Sequence, residues 1–446
     1  MPPMPTDSSR PLCRIPPPAW AETPEMRHLL AALGEGRFVG GAVRDTLLGR
    51  KIGDLDLAVP IPPAETLRRL EAAGIRALPT GLAHGTVTAL LPRTPTSGPQ
   101  IETERVEITT LRRDIETNGR HAVVAFTADW RADAERRDFT MNALYLDRDG
   151  GIWDFVGGVE DCQAGRVRFV GDPGTRLRED GLRLLRLYRF QAHYGREPLE
   201  ATTRLAARDA AGMIDRLAGE RLRAETLKLI VAADPLPVLG MMIEDGVLPH
   251  LLPPPYGLER LARLLHVEHG VEHGVEHAVK IEAGSGKTDM RDPLRRLAAL
   301  LDASAGPGVS ARLRLSKAET LRLETLLDPH DRRRAATLVA SAPADRAARH
   351  RWLHAWGQDL YRDRLLLAAA ELPPEAPPLG PLLDEARQWP IPRLPIGGAD
   401  VQALGYRGAT VGHLLRAVES WWIEADFAPD RAACLARLRD LAERDR

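Results

Sequence analysis

Strand-forming runs are confined to the first 160 residues or so of this chain, and that asymmetry limits the folds open to it more than any other feature. RFVGG, DLDLAV, GTVTALL, RVEITTL, AVVAFT and MNALYLD follow one another between residues 25 and 160, mixed with helical segments. After about residue 164 these signals almost vanish. Leu, Ala and Arg then recur at helical spacing to residue 446, broken by Pro-rich stretches at 252–255 and 373–381. The pattern predicts an α+β protein, with a small mixed α/β domain followed by helices alone.

A chain of 446 residues exceeds one ordinary core. The expected segments are an N-terminal extension at 1–24, the α/β domain at 25–164, and helical segments at 165–232, 233–330 and 331–446. No apolar run approaches the roughly 18 residues of a membrane span, so no membrane association is expected. The opening MPPMPTDSSRPLCRIPPP has Pro where a secretion signal needs an apolar stretch, and reads as a frayed extension of a cytoplasmic protein. Cys13, Cys162 and Cys434 are far apart and odd in number, which suits a reducing compartment.

With 61 Lys and Arg against 62 Asp and Glu, affinity for nucleic acid must come from local patches. Arg clusters at 176–189, 204–223 and 332–351 are candidates, although Arg also solvates helix faces. An insert at 266–288 opens with HVEHGVEHGVEHAVK, whose His269, His273 and His277 would line one helical face. It reads as a solvated insert rather than a metal site. GSGKT at 284–288 fails as a phosphate loop, because Ile281 stands where the first Gly belongs. His330-Asp331 is a lone pair, expected in a helix or turn.

The informative stretch is RFVGGAVRDTLLGRKIGDLDLAV at 37–59. A strand runs into Gly40-Gly41, where a phosphate could approach the backbone, and a helix follows with Arg44 one turn in. On the next strand Asp54 and Asp56 project from one face while Leu55 and Leu57 face the other. Glu107 lies on a further strand between Val106 and Ile108. Carboxylates so placed suit Mg²⁺, one ion activating an attacking hydroxyl and a second steadying a triphosphate. Taken alone, the Asp-Leu-Asp pattern is equally that of a solvent-facing strand.

It does not stand alone. GGAVRD followed by DLD resembles the signature of the polymerase β-like nucleotidyltransferase superfamily, with Glu107 at the third carboxylate position. RRDFTMNA at 136–143 and EDGLRLLRLYRF at 179–190 resemble the class II CCA-adding enzyme and bacterial poly(A) polymerase family. These motifs span residues 37–190. The resemblance implies a nucleotidyltransferase head followed by helical neck, body and tail, Mg²⁺ as cofactor, and CTP, ATP and tRNA as partners. It makes Asp54, Asp56 and Glu107 catalytic, with Asp54 and Asp56 holding metal. It assigns Arg137, Asp138 and Asn142 to the nucleotide sugar and phosphates, beside the Gly40-Gly41 turn and Arg44 already read as nucleotide-binding. Asp180, Arg183 and Arg186 go to the base-reading helix.

That last assignment has its own chemical logic. Asp180 and Arg183, three apart on an expected helix, share a face. Cytosine and adenine both offer an amino donor beside a ring-nitrogen acceptor, which suits an acceptor-only aspartate and a donor-only arginine. Their alternative is a surface ion pair. Gly181 would lie inside that helix, at a cost of about 1 kcal/mol relative to Ala.

Within the family GLAHGTVTAL at 81–90 resembles the CCA-adding branch rather than the poly(A) branch, and the segment around LRRDIETNGRHAVV has the full length expected of complete CCA addition rather than CC or A alone. A helical RNA-binding protein with a decayed transferase domain is the non-enzymatic alternative. The intact Asp54, Asp56 and Glu107 count against it.

Overall fold

The computed structural model describes residues 10–93, 102–118, 121–273, 290–341, 345–373 and 379–444. The chain divides into two compact units, Met1–Leu252 and Pro253–Arg446.

The first unit is built on a mixed sheet. Its strands are β1 (Cys13–Arg14), β2 (Arg37–Val39), β3 (Leu55–Val59), β4 (Arg76–Gly81), β5 (Thr86–Arg93) and β6 (Glu102–Thr110), with β9 (Leu144–Leu146) and β10 (Gly151–Asp154). Two more, β7 (Arg112–Asn118) and β8 (His121–Phe126), form a separate antiparallel hairpin. The sheet order is β1-β10-β9-β2-β3-β6-β5-β4, and β3 with β6 is its parallel pair. Helices α1 (Pro24–Leu33), α2 (Gly41–Leu47), α3 (Pro63–Ala72), α4 (Trp130–Glu135) and α5 (Gly158–Ala164) accompany the sheet. Then come α6 (Pro173–Glu179), α7 (Leu182–Tyr194), α8 (Ala201–Ala210) and α9 (Gly219–Ile230).

Local chemistry sets several of these boundaries. Thr23 caps α1 by accepting from the Met26 N–H, with Pro24 in the first turn, where a missing N–H costs nothing. Asp172 caps α6 in the same way. Gly40, at φ +72°, makes the strand-to-helix turn, a conformation that other L residues rarely adopt. Beneath the site Val39, Ala58, Leu111, Ala143, Tyr145 and Phe155 pack into one cluster.

One feature differs from the sequence expectation. Part of the segment read as a frayed extension is an edge strand: Cys13 and Arg14 pair with Ile152 and Gly151, and Trp20 packs edge-on to Phe38 at 4.6 Å between ring centroids. A two-residue strand carries almost no periodicity, so only the partner reveals it. The positions near 164 and 232 both lie within the first compact unit. Side-chain bonds cross them, such as the Tyr188 hydroxyl donating to buried Asp245 at 2.9 Å.

All regular secondary structure among the described residues of the second unit is helical. A buried ion network joins its elements: Arg295 contacts Glu268 at 2.7 Å and Asp363 at 2.7 Å, and Arg296 contacts Glu268 at 2.8 Å. Nearer the C-terminus Val401, Leu414, Val418, Trp422, Cys434 and Leu438 form another core. His330 and Asp331 lie in the helix Pro329–Ala340, where Asp331 pairs with Arg334 and Arg364. The repeat begins within the helix Leu258–His273; His277 and GSGKT lie outside the described residues. Among the described residues no helix is long and apolar enough to cross a membrane.

Candidate active site

Parallel pairing of β3 with β6 sets Asp56 directly beside Glu107. In a parallel ladder paired residues project from the same face, so the two carboxylates are neighbours. Leu55 and Leu57 turn into the core at 4% and 0% exposure, while Asp54, just before β3, is exposed. The Asp56 carboxyl is pushed up to about 6, first by burial and then by Glu107 and Asp54, against the opposing pull of Arg137. Among the described residues no three His, Cys, Asp or Glu side chains converge closely enough to hold a metal ion. The expected three-carboxylate cluster is therefore an open acidic shelf in this structure, with Asp56 and Glu107 adjacent and Asp54 at its edge.

The Arg-Arg-Asp run next to this shelf is held by a residue that sequence reasoning missed. Asp133 on α4 is 1% exposed and is the hub of a polar network. Its Oδ1 accepts from Arg136 Nη2 at 2.6 Å and from the Arg112 backbone N–H at 3.2 Å. Its Oδ2 accepts from Arg137 Nη2 at 2.7 Å and from the Tyr145 hydroxyl at 2.8 Å. Burial alone would raise its pKa, but the Arg137 and Arg136 guanidiniums outweigh that and hold it well below the usual carboxylate range. Asp133 thus anchors both arginines and the first residue of the β7–β8 hairpin.

Asp138, Asn142 and Arg44 form a second chain. Arg186 on α7 donates to Asp138 Oδ2 through Nε at 2.7 Å and also through Nη2. Asp138 Oδ1 accepts from Asn142 Nδ2 at 3.1 Å, and Asn142 Oδ1 accepts from Arg44 Nη1 at 2.7 Å. The remaining Arg44 nitrogens donate to Asp45 at 3.0 and 2.9 Å and to the Tyr194 hydroxyl at 2.6 Å. Arg44 and Asn142, expected to reach a nucleotide, are 6% and 8% exposed and bonded to each other. Their guanidinium and amide groups are committed to protein partners, with Tyr194 at the end of α7 completing the Arg44 set.

The base-reading motif also differs from expectation. Asp180 and Arg183 do not lie on one helix: α6 ends at Asp180, whose backbone is extended (φ −154°, ψ 109°), and α7 starts after Gly181. Gly181 therefore carries no mid-helix penalty. A Cβ there would lie 3.1 Å from Met213 Cβ, which accounts for the small residue by close packing. Asp180 Oδ1 accepts from the Leu182 N–H at 3.0 Å and Oδ2 from Arg221 Nη2 at 2.6 Å. Arg183 donates to Glu179 and to the Arg176 carbonyl at 3.1 Å. Each is held by its own partner, side by side at a helix junction.

The chain matches known proteins over both its halves. Residues 36–168 match the family described as poly A polymerase head domain, and residues 198–255 match one described as probable RNA and SrmB-binding site of polymerase A. Mitochondrial CCA tRNA nucleotidyltransferase 1 of Danio rerio is 32% identical over 421 residues, covering 91% of this chain and 87% of the relative. The chain belongs to this CCA tRNA nucleotidyltransferase family. A CCA-adding enzyme of Bacillus velezensis is 34% identical over 230 residues, covering 51% of this chain and 54% of the relative. The crystal structure of Bacillus stearothermophilus CCA-adding enzyme in complex with CTP shares the fold, with a TM-score of 0.62 and 24% identity over 95% of this chain and 99% of that one.

Nucleotidyltransferases of this kind generally use divalent metal ions. Of the residues expected to serve them here, Asp56 and Glu107 are adjacent, Arg137 lies close enough to act on the Asp56 charge, and Asp138 and Arg186 pair directly. The overlooked Asp133 had a signal, since an acid four residues before Arg137 can share a helical face with it. Arg221 had none, because its partner Asp180 lies 41 residues away.

Proposed function

We propose that this chain adds CMP and AMP from CTP and ATP to the 3′ end of tRNA without a nucleic-acid template. The observation that carries the reading is the pairing of Asp56 with Glu107 beside Arg137. Carboxylate oxygens are hard donors, and Asp56, whose ionisation is resisted by burial and then by Glu107 and Asp54, sits where a divalent cation would relieve the charge, for which we propose Mg²⁺. Asp54 and Asp56 would hold it, with Glu107 alongside, and it would supply Lewis-acid activation of a hydroxyl and charge neutralisation of the triphosphate.

The chain's own residues bind and orient. Arg137, fixed by Asp133, offers a positioned cation to phosphate oxygens. The Gly40-Gly41 turn leaves room for phosphate, and a Cβ at Gly40 would meet only the Asn142 carbonyl, at 3.8 Å. Asp138 and Asn142 border the sugar. Asp180 and Arg183 exchange their protein partners for the Watson–Crick edge of C or A, and Arg186 ties α7, which carries Arg183, to Asp138. In this reading residues 25–164 are the catalytic head, 165–232 the neck, and 233–330 and 331–446 the body and tail that grip tRNA.

Poly(A) synthesis is the competing reading, favoured by the description of the head-domain family. Labelled CTP and ATP supplied with tRNA ending at the discriminator base, with tRNA ending in CC, or with an unrelated RNA separates the two. CCA synthesis requires two C and one A on the first primer and one A on the second. Long A tracts on any RNA would overturn it in favour of the polymerase.

A further inference from the structure

Along one stripe of helix α7, Arg186, Phe190 and Tyr194, spaced at i, i+4 and i+8, reach Asp138, Phe139 and Arg44. Arg186 pairs with Asp138. Phe190 packs on Phe139 at 4.8 Å between centroids. The Tyr194 hydroxyl accepts from Arg44 Nη2 at 2.6 Å, and its ring lies under that guanidinium at 4.0 Å and under Arg50 at 4.7 Å. Because Arg44 also donates to Asn142, and Asn142 to Asp138, the bonds form a closed circuit, Arg186–Asp138–Asn142–Arg44–Tyr194, that starts and ends on the same helix.

One anchor lets a helix pivot; two anchors fix its direction. Arg186 and Tyr194 are eight residues apart, about 12 Å along the axis. Arg183 stands in the first turn of α7, ahead of both anchors. A tilt about the Arg186 contact would therefore carry Arg183 across the base edge that it must meet, and small misplacements of a reacting or reading group cost large factors in rate.

We propose that Tyr194 is a positioning residue for base selection. Through Arg44 and Asn142 its hydroxyl locks the far end of α7, and so sets where the near end holds Arg183 relative to the catalytic carboxylates. The proposal rests on the base-reading role of Asp180 and Arg183 given above. Two guanidiniums on one tyrosine ring, each a cation–π contact, exceed what packing the end of a helix requires.

The test is Tyr194→Phe, which keeps the ring and removes the hydroxyl, with Tyr194→Leu, which removes both. Steady-state kinetics with CTP, ATP, UTP and GTP on a tRNA primer give kcat/KM for each nucleotide. The expected result is a CTP-over-UTP ratio narrowed about tenfold in Tyr194→Phe and further in Tyr194→Leu, mainly through KM for the correct nucleotides. Unchanged ratios in both variants overturn the proposal, including when total activity falls, because lost folded enzyme lowers all four rates alike. If instead the wild-type protein fails to prefer CTP and ATP, the function itself is wrong rather than the role of Tyr194.

Discussion

Asp56 and Glu107 stand side by side on parallel strands, and the Asp56 carboxyl titrates at about 6 where an ordinary aspartate titrates at 3.8. The shift means that the folded protein holds this proton more tightly than the unfolded chain. Its stabilising contribution is complete below about 3.8 and is lost as pH rises through about 6. Near neutral pH and without metal, the ionised shelf therefore works against the fold. Asp56→Asn should raise the melting temperature of the metal-free protein by a few degrees at neutral pH, and that gain should vanish below about pH 4. Thermal scans in chelator across this range check it; an equal gain at every pH would assign the effect to something other than charge.

If Asp54 and Asp56 hold the metal as proposed, Asp54→Ala and Asp56→Ala should abolish catalysis while sparing tRNA binding. Loss of a metal ligand is expected to lower nucleotide addition at least about 100-fold with Mg²⁺. Single-turnover incorporation alongside a filter-binding assay for tRNA measures both, and substantial turnover by Asp54→Ala would sink the metal assignment.

Removing Asp133 leaves Arg136 and Arg137 without their buried counter-charge. Breaking a buried pair from one side costs about 3–5 kcal/mol, so Asp133→Ala should be strongly destabilised. Asp133→Asn keeps the shape and the acceptor oxygen, and should fold while showing a raised KM for both CTP and ATP, because Arg137 loses its fixed orientation. Urea denaturation with nucleotide kinetics distinguishes the outcomes; an unchanged KM in the folded Asn variant would reduce Asp133 to a purely architectural role.

Asp180 offers only acceptors and Arg183 only donors, so UTP or GTP would set like against like, at about 1–3 kcal/mol for each unsatisfied buried group. Asp180→Ala should weaken use of CTP and ATP and narrow their advantage over UTP and GTP. It also frees Arg221, which makes Arg221→Ala an informative companion: Asp180 would lose its partner but remain able to read the base. Wild-type selectivity in Asp180→Ala would place base reading elsewhere in the chain.

What the sequence by itself determined here is local. Periodicity announced strands β2, β3, β5, β6, β8 and β9 and the helical remainder, because side-chain alternation and Gly or Pro punctuation act within a few residues. It also placed Asp54 and Asp56 at the start of a strand whose Leu55 and Leu57 turn into the core. The tertiary structure decided which of those side chains remain available. Arg44 is consumed by Asn142 and Tyr194, 98 and 150 residues distant, and Asp180 breaks the helix it was expected to share with Arg183. Such outcomes depend on which segments meet in space. A guanidinium has only five N–H groups to give, and only the fold decides whether protein or substrate receives them.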